Sequence, residues 1–191
     1  MRSNAVLAGE RFSSESAIEV KEQDGYKGVF AKEIIAPESV ILYLNGTLSK
    51  LPTKYTIELS RNCHLSFPTI RKKRNADLNY NWQYLNHCCE PNGYINPSDR
   101  TLRALREIAP GEEINFNYLT TESALAVPFT CTCGSANCFG LIQGRDFLTE
   151  EELERLARIH RRGTACRAPT SQKTLPTTQT ARDIRLKPGT T

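Results

Sequence analysis

Hydrophobic positions along the first 120 residues gather in short runs broken by polar turn signals, with no long stretch at helical spacing. Ala17 to Lys21, Val29 to Lys32, Val40 to Leu44, Tyr55 to Leu59 and His64 to Phe67 are rich in β-branched and aromatic residues, the composition of short strands. Leu102 to Ile108 and Glu113 to Tyr118 continue the pattern. Asn45-Gly46, directly after the third run, predicts a hairpin turn. The expectation is a mainly β domain of small sheets.

One helix is signalled near the end. Thr149 and Glu152 have the spacing of a capping box, Leu148 and Leu153 stand at the staple positions, and Leu153, Leu156 and Ile159 or His160 recur at helical spacing. It should pack as a C-terminal cover over residues 145–162. From Gly163 onward Thr, Pro, Ser, Gln and Arg dominate, and so few apolar residues cannot offset the entropy of ordering the chain; 163–191 reads as a disordered basic tail.

Charge sharpens this division. Residues 161–191 hold seven Lys/Arg and one Asp, so residues 1–160 carry 18 Lys/Arg against 20 Asp/Glu despite the overall +4. A slightly acidic core lacks the basic face that phosphates require, which argues against direct nucleic-acid binding and suits a lysine-bearing substrate. No segment has the length of apolar run needed to span a membrane. Arg71-Lys72-Lys73-Arg74 reads as a solvated loop, with nuclear import as the other reading.

Seven cysteines carry the chemistry. Cys131, Cys133 and Cys138 form C-x-C-x4-C, three thiols with metal-ligand spacing. Met1 to Glu10 has neither a cationic start nor a long apolar run, so no signal peptide is expected and the compartment should be reducing and intracellular, cytoplasm or nucleus. There, clustered thiols read as zinc ligands, and a structural zinc takes four. Cys89, within Asn86-His87-Cys88-Cys89-Glu90-Pro91-Asn92, is the candidate fourth ligand of a single Zn2+. Cys63, Cys88 and Cys166 need be no more than reduced thiols.

Between these clusters runs Gly111-Glu112-Glu113-Ile114-Asn115-Phe116-Asn117-Tyr118. An N-H-x-C-x-P-N segment, a G-E-E-[LI]-x-F-[DN]-Y segment and a C-x-C-x4-C tail in this order resemble the SET-domain lysine methyltransferases, over roughly Ala17 to Gly144. The resemblance implies a β-clip-like SET fold, with small curved sheets and a pseudoknot made where Asn86 to Asn92 passes through a loop near Tyr118. It also implies an organisation of N-terminal extension 1–16, SET domain 17–120, zinc-binding post-SET segment 121–144, C-terminal helix and tail, with no pre-SET module.

The family's residue roles fall on particular positions here. Tyr118 corresponds to the catalytic tyrosine, Tyr43 to a second channel tyrosine, and Phe116 to a Phe/Tyr switch whose phenylalanine form leaves room for di- or trimethylation. Asn86 and His87 correspond to contacts with S-adenosyl-L-methionine, as do Tyr26, Lys27 and Gly28 in a variant of the family's first motif with Tyr26 in place of a glycine. Tyr55, Phe139 and Leu141 complete the implied cofactor contacts. A core tyrosine or phenylalanine ending a strand would account for Tyr118, Tyr43 and Phe116 equally well without the neighbouring motifs.

The implied function is an S-adenosylmethionine-dependent protein-lysine N-methyltransferase acting on a protein or peptide such as a histone. The alternatives are a methyltransferase of a small-molecule amine or amino acid, and a catalytically inactive, zinc-stabilised SET-like binding module. Oligomeric state is not legible.

Overall fold

The structure, a computed structural model, describes residues 14–23, 25–68 and 80–162. The first thirteen residues, the basic run at 71–74, Cys166 and the tail beyond Arg162 lie outside the described residues. Along the chain come β1 (Ile18–Gln23), β2 (Tyr26–Ala31), β3 (Val40–Tyr43), β4 (Thr47–Ser49), β5 (Ile57–Ser60), β6 (Cys63–Ser66), β7 (Asn86–His87), β8 (Gly93–Asn96), β9 (Thr101–Ala104), β10 (Glu113–Phe116), β11 (Phe129–Thr130), β12 (Leu141–Ile142) and α1 (Glu150–Arg162). Short 3-10 turns at Asn81–Tyr84 and Tyr118–Thr120 join some of them.

The strands form small separate sheets. One has the order β1-β2-β10-β7, with β10 and β7 parallel; others are β3-β9-β8, β4-β6-β5 and the pair β11-β12. Between them the sheets and their connections bury Val29, Ile41, Leu42, Leu65, Leu102, Ile108 and Ile114 in one cluster with Trp82. Burying an indole strands its N–H unless a partner is found, and Trp82 Nε1 donates to the Asn45 carbonyl at 2.9 Å. A second apolar cluster gathers Leu119, Phe139, Ile142, Leu156 and Ile159 beside Cys89 and Cys133.

The C-terminal helix follows its sequence signals. Thr149 N–H donates to Glu152 Oε2 at 2.9 Å and Glu152 N–H donates to Thr149 Oγ1 at 3.3 Å, a reciprocal capping box. Leu156 and Ile159 face inward, and the His160 ring packs edge-on against Tyr94.

The hairpin expected at Asn45-Gly46 does not form. β3 pairs with β9 and β4 pairs with β6, so this dipeptide passes from one sheet to another. A two-residue turn of that type needs positive φ at both central residues, and neither has it. Gly46 serves a different need, since a Cβ there would lie 2.5 Å from the Ser66 carbonyl oxygen. The true tight turns lie elsewhere, with Gly25 at φ 82 between β1 and β2 and Asn62 at φ 59 between β5 and β6.

Residues 86–92 are laced onto β10 and the turn after it. Cys88 N–H donates to the Phe116 carbonyl at 3.1 Å, Asn92 Nδ2 to the Glu113 carbonyl at 2.8 Å, Asn115 N–H to Asn92 Oδ1 at 3.0 Å, and Asn117 Nδ2 to the Cys89 carbonyl at 3.1 Å. Asn92 and Asn117 are fully buried, so their amides substitute for the ladder bonds that a long sheet would supply. The lacing places the two halves of the motif side by side. One further difference concerns Cys88, which is disulfide-bonded rather than a free thiol, whereas Cys63 is free.

Candidate active site

Two cavities meet at Tyr118. The larger, about 480 Å³, runs between Asn86-His87 and the segment that follows Glu122, with Tyr26 and Glu113 at its polar side and Leu125, Val127 and Phe129 as its apolar wall. The smaller, about 30 Å³, is walled by Tyr55, Trp82, Leu85, Phe116 and Glu122. Tyr118, Leu125 and Lys54 line both. A cleft of the larger size, apolar with a few convergent polar groups, is the usual form of a cofactor site.

Parallel pairing of β7 with β10 sets this junction, because it puts His87 beside Phe116 and the following turn. His87 Nδ1 accepts the Tyr118 backbone N–H at 3.1 Å, which places the ring proton on Nε2, 3.3 Å from Cys89 Sγ. Burial pushes His87 down to about 3, so it stays neutral. Rings of Phe116, His87 and Phe129 pack on Tyr118 with centroids 4.9, 5.2 and 6.1 Å away. The Tyr118 hydroxyl donates to the Leu85 carbonyl at 2.7 Å. Burial, helped by the Glu122 and Glu113 carboxylates, pushes the phenol well above its ordinary value, so it remains protonated and its oxygen keeps lone pairs for accepting.

The polar side of the cleft is pre-set. Asn86 Nδ2 donates to Glu113 Oε1 at 2.7 Å and to the Lys27 carbonyl at 3.0 Å. A Cβ on Gly28 would meet that carboxylate oxygen at 2.6 Å, so a side chain there would displace Glu113 from Asn86. Glu112, next along, is tied to Arg106 and Asn92; burial works to raise its carboxyl, and these hydrogen bonds override it and hold it low.

Of the residues singled out in the sequence, Tyr26, Asn86, His87 and Tyr118 line the larger cavity, and Phe116, Tyr55 and Tyr118 the smaller. Lys27 reaches the site only through its carbonyl, its ammonium lying over the Tyr84 ring. Tyr43 is paired with Thr101 in the β3-β9-β8 sheet and lines neither cavity. Phe139 is buried under Arg155, whose guanidinium carbon sits 4.1 Å from the ring centroid. Leu141 is exposed on β12, where it pairs with Thr130. Leu125, Val127, Phe129 and Glu122 escaped sequence reasoning; they occupy a stretch without periodicity, and only its position between the two motifs pointed to them.

Cys89, Cys131, Cys133 and Cys138 converge, all four sulfurs lying within 4.8 Å of one another. Sulfurs bound tetrahedrally at about 2.3 Å from one zinc stand about 3.8 Å apart. Cys89 Sγ lies 3.7 Å from Cys131 Sγ and 3.8 Å from Cys138 Sγ. Burial pushes the Cys89 thiol up, and Cys131 up to about 11, whereas backbone hydrogen bonds hold Cys133 low against burial, so thiolates at Cys89 and Cys131 need a cation's charge. Backbone N–H groups of Phe139 and Gly140 donate to Cys89 and Cys138 at 3.3 and 3.4 Å, as they would to thiolates. The donor set fits a zinc ion.

Residues 26–119 match the family model of the SET domain. The chain is 36% identical over 83 residues to Methyltransferase flvH of Aspergillus flavus, covering 42% of this chain and 47% of that protein. It is 31% identical over 139 residues to an H3 lysine-36 specific histone-lysine N-methyltransferase of Emericella nidulans, covering 65% of this chain and 14% of that one. The Drosophila melanogaster histone-lysine N-methyltransferase trithorax is 30% identical over 118 residues, 56% of this chain and 3% of its own length. The chain spans less than half the length of these relatives. Among solved structures, KRYPTONITE in complex with mCHG DNA and SAH aligns with a TM-score of 0.48 at 19% identity, over 65% of this chain and 28% of that one.

Proposed function

We propose that the chain is an S-adenosylmethionine-dependent lysine N-methyltransferase, and the observation that carries this is the meeting of a broad cleft and a narrow cavity at Tyr118 within the residues that match the SET domain. Tyr26, Asn86, His87 and Glu113 would hold the cofactor's charged end and Leu125, Val127 and Phe129 its flat apolar end. When bound there, the cofactor supplies an activated methyl group on a sulfonium. Transfer needs the amine nitrogen aligned with that methyl, a task of positioning. Tyr118, kept protonated and fixed by Leu85, orients the amine through its oxygen, and Phe116 and Trp82 exclude water from the channel. The Cys89, Cys131, Cys133 and Cys138 site would hold one structural zinc that anchors the apolar wall.

The acceptor is a lysine of a protein or peptide, with a histone the first candidate from the relatives' names and an intracellular, nuclear setting to match. A free amine is the second reading, favoured by the Aspergillus flavus relative, whose name gives a methyltransferase and no histone. Incubation of the protein with labelled cofactor and a panel of histones, cell lysate and small amines, read by mass spectrometry, distinguishes the two. Label on none of these, with cofactor bound, would leave a binding module instead.

Product state gives a separate expectation. Phe116 is buried in the channel wall against Tyr118, and it lacks the hydroxyl that would crowd a methylated nitrogen. The wild type should therefore proceed beyond monomethyl-lysine, and Phe116→Tyr should shift products toward the monomethyl form with activity retained. Product ratios unchanged in the variant would show that another residue sets the limit.

A further inference from the structure

A lysine reaching Tyr118 arrives as an ammonium, and Tyr118 is a poor base. The channel nevertheless contains a carboxylate. The 3-10 turn after β10 returns the chain so that Glu122 N–H donates to the Tyr118 carbonyl at 2.8 Å, and the Glu122 side chain enters the wall of the narrow cavity alongside Phe116 and Tyr118. It is 4% exposed. Its Oε1 accepts the Glu58 N–H at 2.9 Å and the Thr121 hydroxyl at 3.1 Å, which fixes the carboxylate's orientation.

What Glu122 lacks is a counter-ion. None of the ion pairs among the described residues includes it. Arg145, the nearest cation by electrostatic effect, spends its guanidinium on the Thr120 carbonyl at 3.3 Å. Lys54 lines the same cavity, but its ammonium lies over the Tyr55 ring, 4.6 Å from the centroid. From the β4-β6-β5 sheet come Glu58 and His64, cross-strand partners that lie with Glu122 within 4.8 Å of one another through their ligand atoms. Glu58 is committed to the Ser123 hydroxyl and to the backbone N–H groups of Ser123 and Asn62, which hold its carboxyl low against the pull of burial. His64 is buried, and its Nδ1 has no hydrogen-bond partner. A buried carboxylate with no cation of its own lines a cavity that the proposed function fills with a cation.

We propose that Glu122 is the binding and proton-accepting site for the substrate amine: it draws the ammonium into the channel and takes its proton beside Tyr118. An ammonium N–H bond breaks and an O–H bond forms on Glu122; the freed lone pair then forms the N–C bond as the methyl's S–C pair returns to sulfur. Burial and the Glu58 charge push the Glu122 carboxyl up to about 7, the range in which a general base is most effective near neutrality. This role rests on the methyltransferase reading.

The test is Glu122→Gln, in which the amide oxygen can still accept from Glu58 and Thr121. Methyl transfer from labelled cofactor to recombinant histone H3 and to Nα-acetyl-lysine amide would be followed from pH 6 to 10 (about neutrality to the lysine pKa). The wild-type rate should fall about tenfold per pH unit below about pH 7. The variant should lose that inflection, be slower by about twentyfold or more at pH 7, and close the gap near pH 10, where lysine deprotonates unaided. Its cofactor affinity should stay within about twofold of wild type.

Stability gives a second readout. The folded carboxyl titrates above its unfolded value, so Glu122 costs the fold stability as pH rises past the unfolded value, fully so above about 7. Glu122→Gln should therefore raise the thermal midpoint at pH 8, and the difference should vanish near pH 4 (about the unfolded carboxyl pKa). A variant with the wild-type rate and pH profile would overturn the proposal. So would a second metal ion per chain that is lost in Glu122→Gln, which would make Glu58, His64 and Glu122 a metal site. A wild type that binds cofactor and methylates no acceptor would overturn the methyltransferase reading itself.

Discussion

Tyr118→Phe should nearly abolish methyl transfer while leaving the fold and most of the cofactor affinity in place. The substitution removes one oxygen and no apolar volume. The hydroxyl's bond to the Leu85 carbonyl at 2.7 Å is lost, at a cost of about 1 kcal/mol of stability. The ring keeps its contacts with Phe116, His87 and Phe129, and the His87 bond to the Tyr118 backbone N–H does not involve the hydroxyl. Loss of an orienting group at the reacting centre typically costs about a hundredfold in rate, or about 3 kcal/mol.

Single-turnover transfer and calorimetric cofactor binding, measured together, check this. Because the phenol stays protonated, the defect of the variant should be the same from neutral to mildly alkaline pH. That separates Tyr118 from Glu122, whose loss should change the pH profile. Near-normal turnover in Tyr118→Phe would refute the assignment.

The strand runs of the first half were legible because a buried strand face needs β-branched and aromatic residues wherever it pairs. Each of the seven runs read in the sequence overlaps a strand, with shifts of up to four residues at the ends. Pairing partners were not legible. β7 is two residues long and owes its existence to the parallel contact with β10 across a long sequence separation, which no local pattern encodes. Asn45-Gly46 looked like a hairpin by composition, yet glycine was needed there for close approach to Ser66, a tertiary fact.

The site shows the same division. Motif residues whose spacing is short, Asn86, His87, Phe116 and Tyr118, are brought together at one junction. Tyr43, Phe139 and Leu141 were carried over on looser matches to the family's pattern, and the structure places them in sheet packing, in the apolar cluster under Arg155 and on an exposed strand. Glu122 sits in Thr120-Thr121-Glu122-Ser123, a composition indistinguishable from a solvated loop. Its burial follows from the backbone return to Tyr118 and from Glu58, 64 residues away.

Cys89→Ser should release the metal and open the cofactor cleft without unfolding the sheets. Cys89 is the one member of the sulfur cluster that comes from the 86–92 segment; the other three come from residues 131–138. It is wholly buried and makes the link between His87 Nε2 on one side and the Phe139 backbone N–H on the other. Zinc held by thiolates contributes about 10 to 16 kcal/mol to the folding of small zinc-dependent modules, so its loss should uncouple residues 125–142 from the rest. Those residues carry Leu125, Val127 and Phe129, the apolar wall of the cleft. The apolar core around Trp82 contains none of the four cysteines and should persist.

Metal analysis of the wild type should give about one zinc per chain, and Cys89→Ser should retain far less. Cofactor affinity should fall by about tenfold or more in the variant and, equally, in the wild type after chelation, while the β-sheet circular dichroism changes little. Cys63→Ser is the control, because Cys63 is a free thiol outside the sulfur cluster and should leave both metal and cofactor binding unchanged. Zinc retained at ordinary affinity after Cys89→Ser would show that the fourth ligand comes from elsewhere, and undiminished cofactor binding after complete zinc removal would show that the cleft wall stands without it.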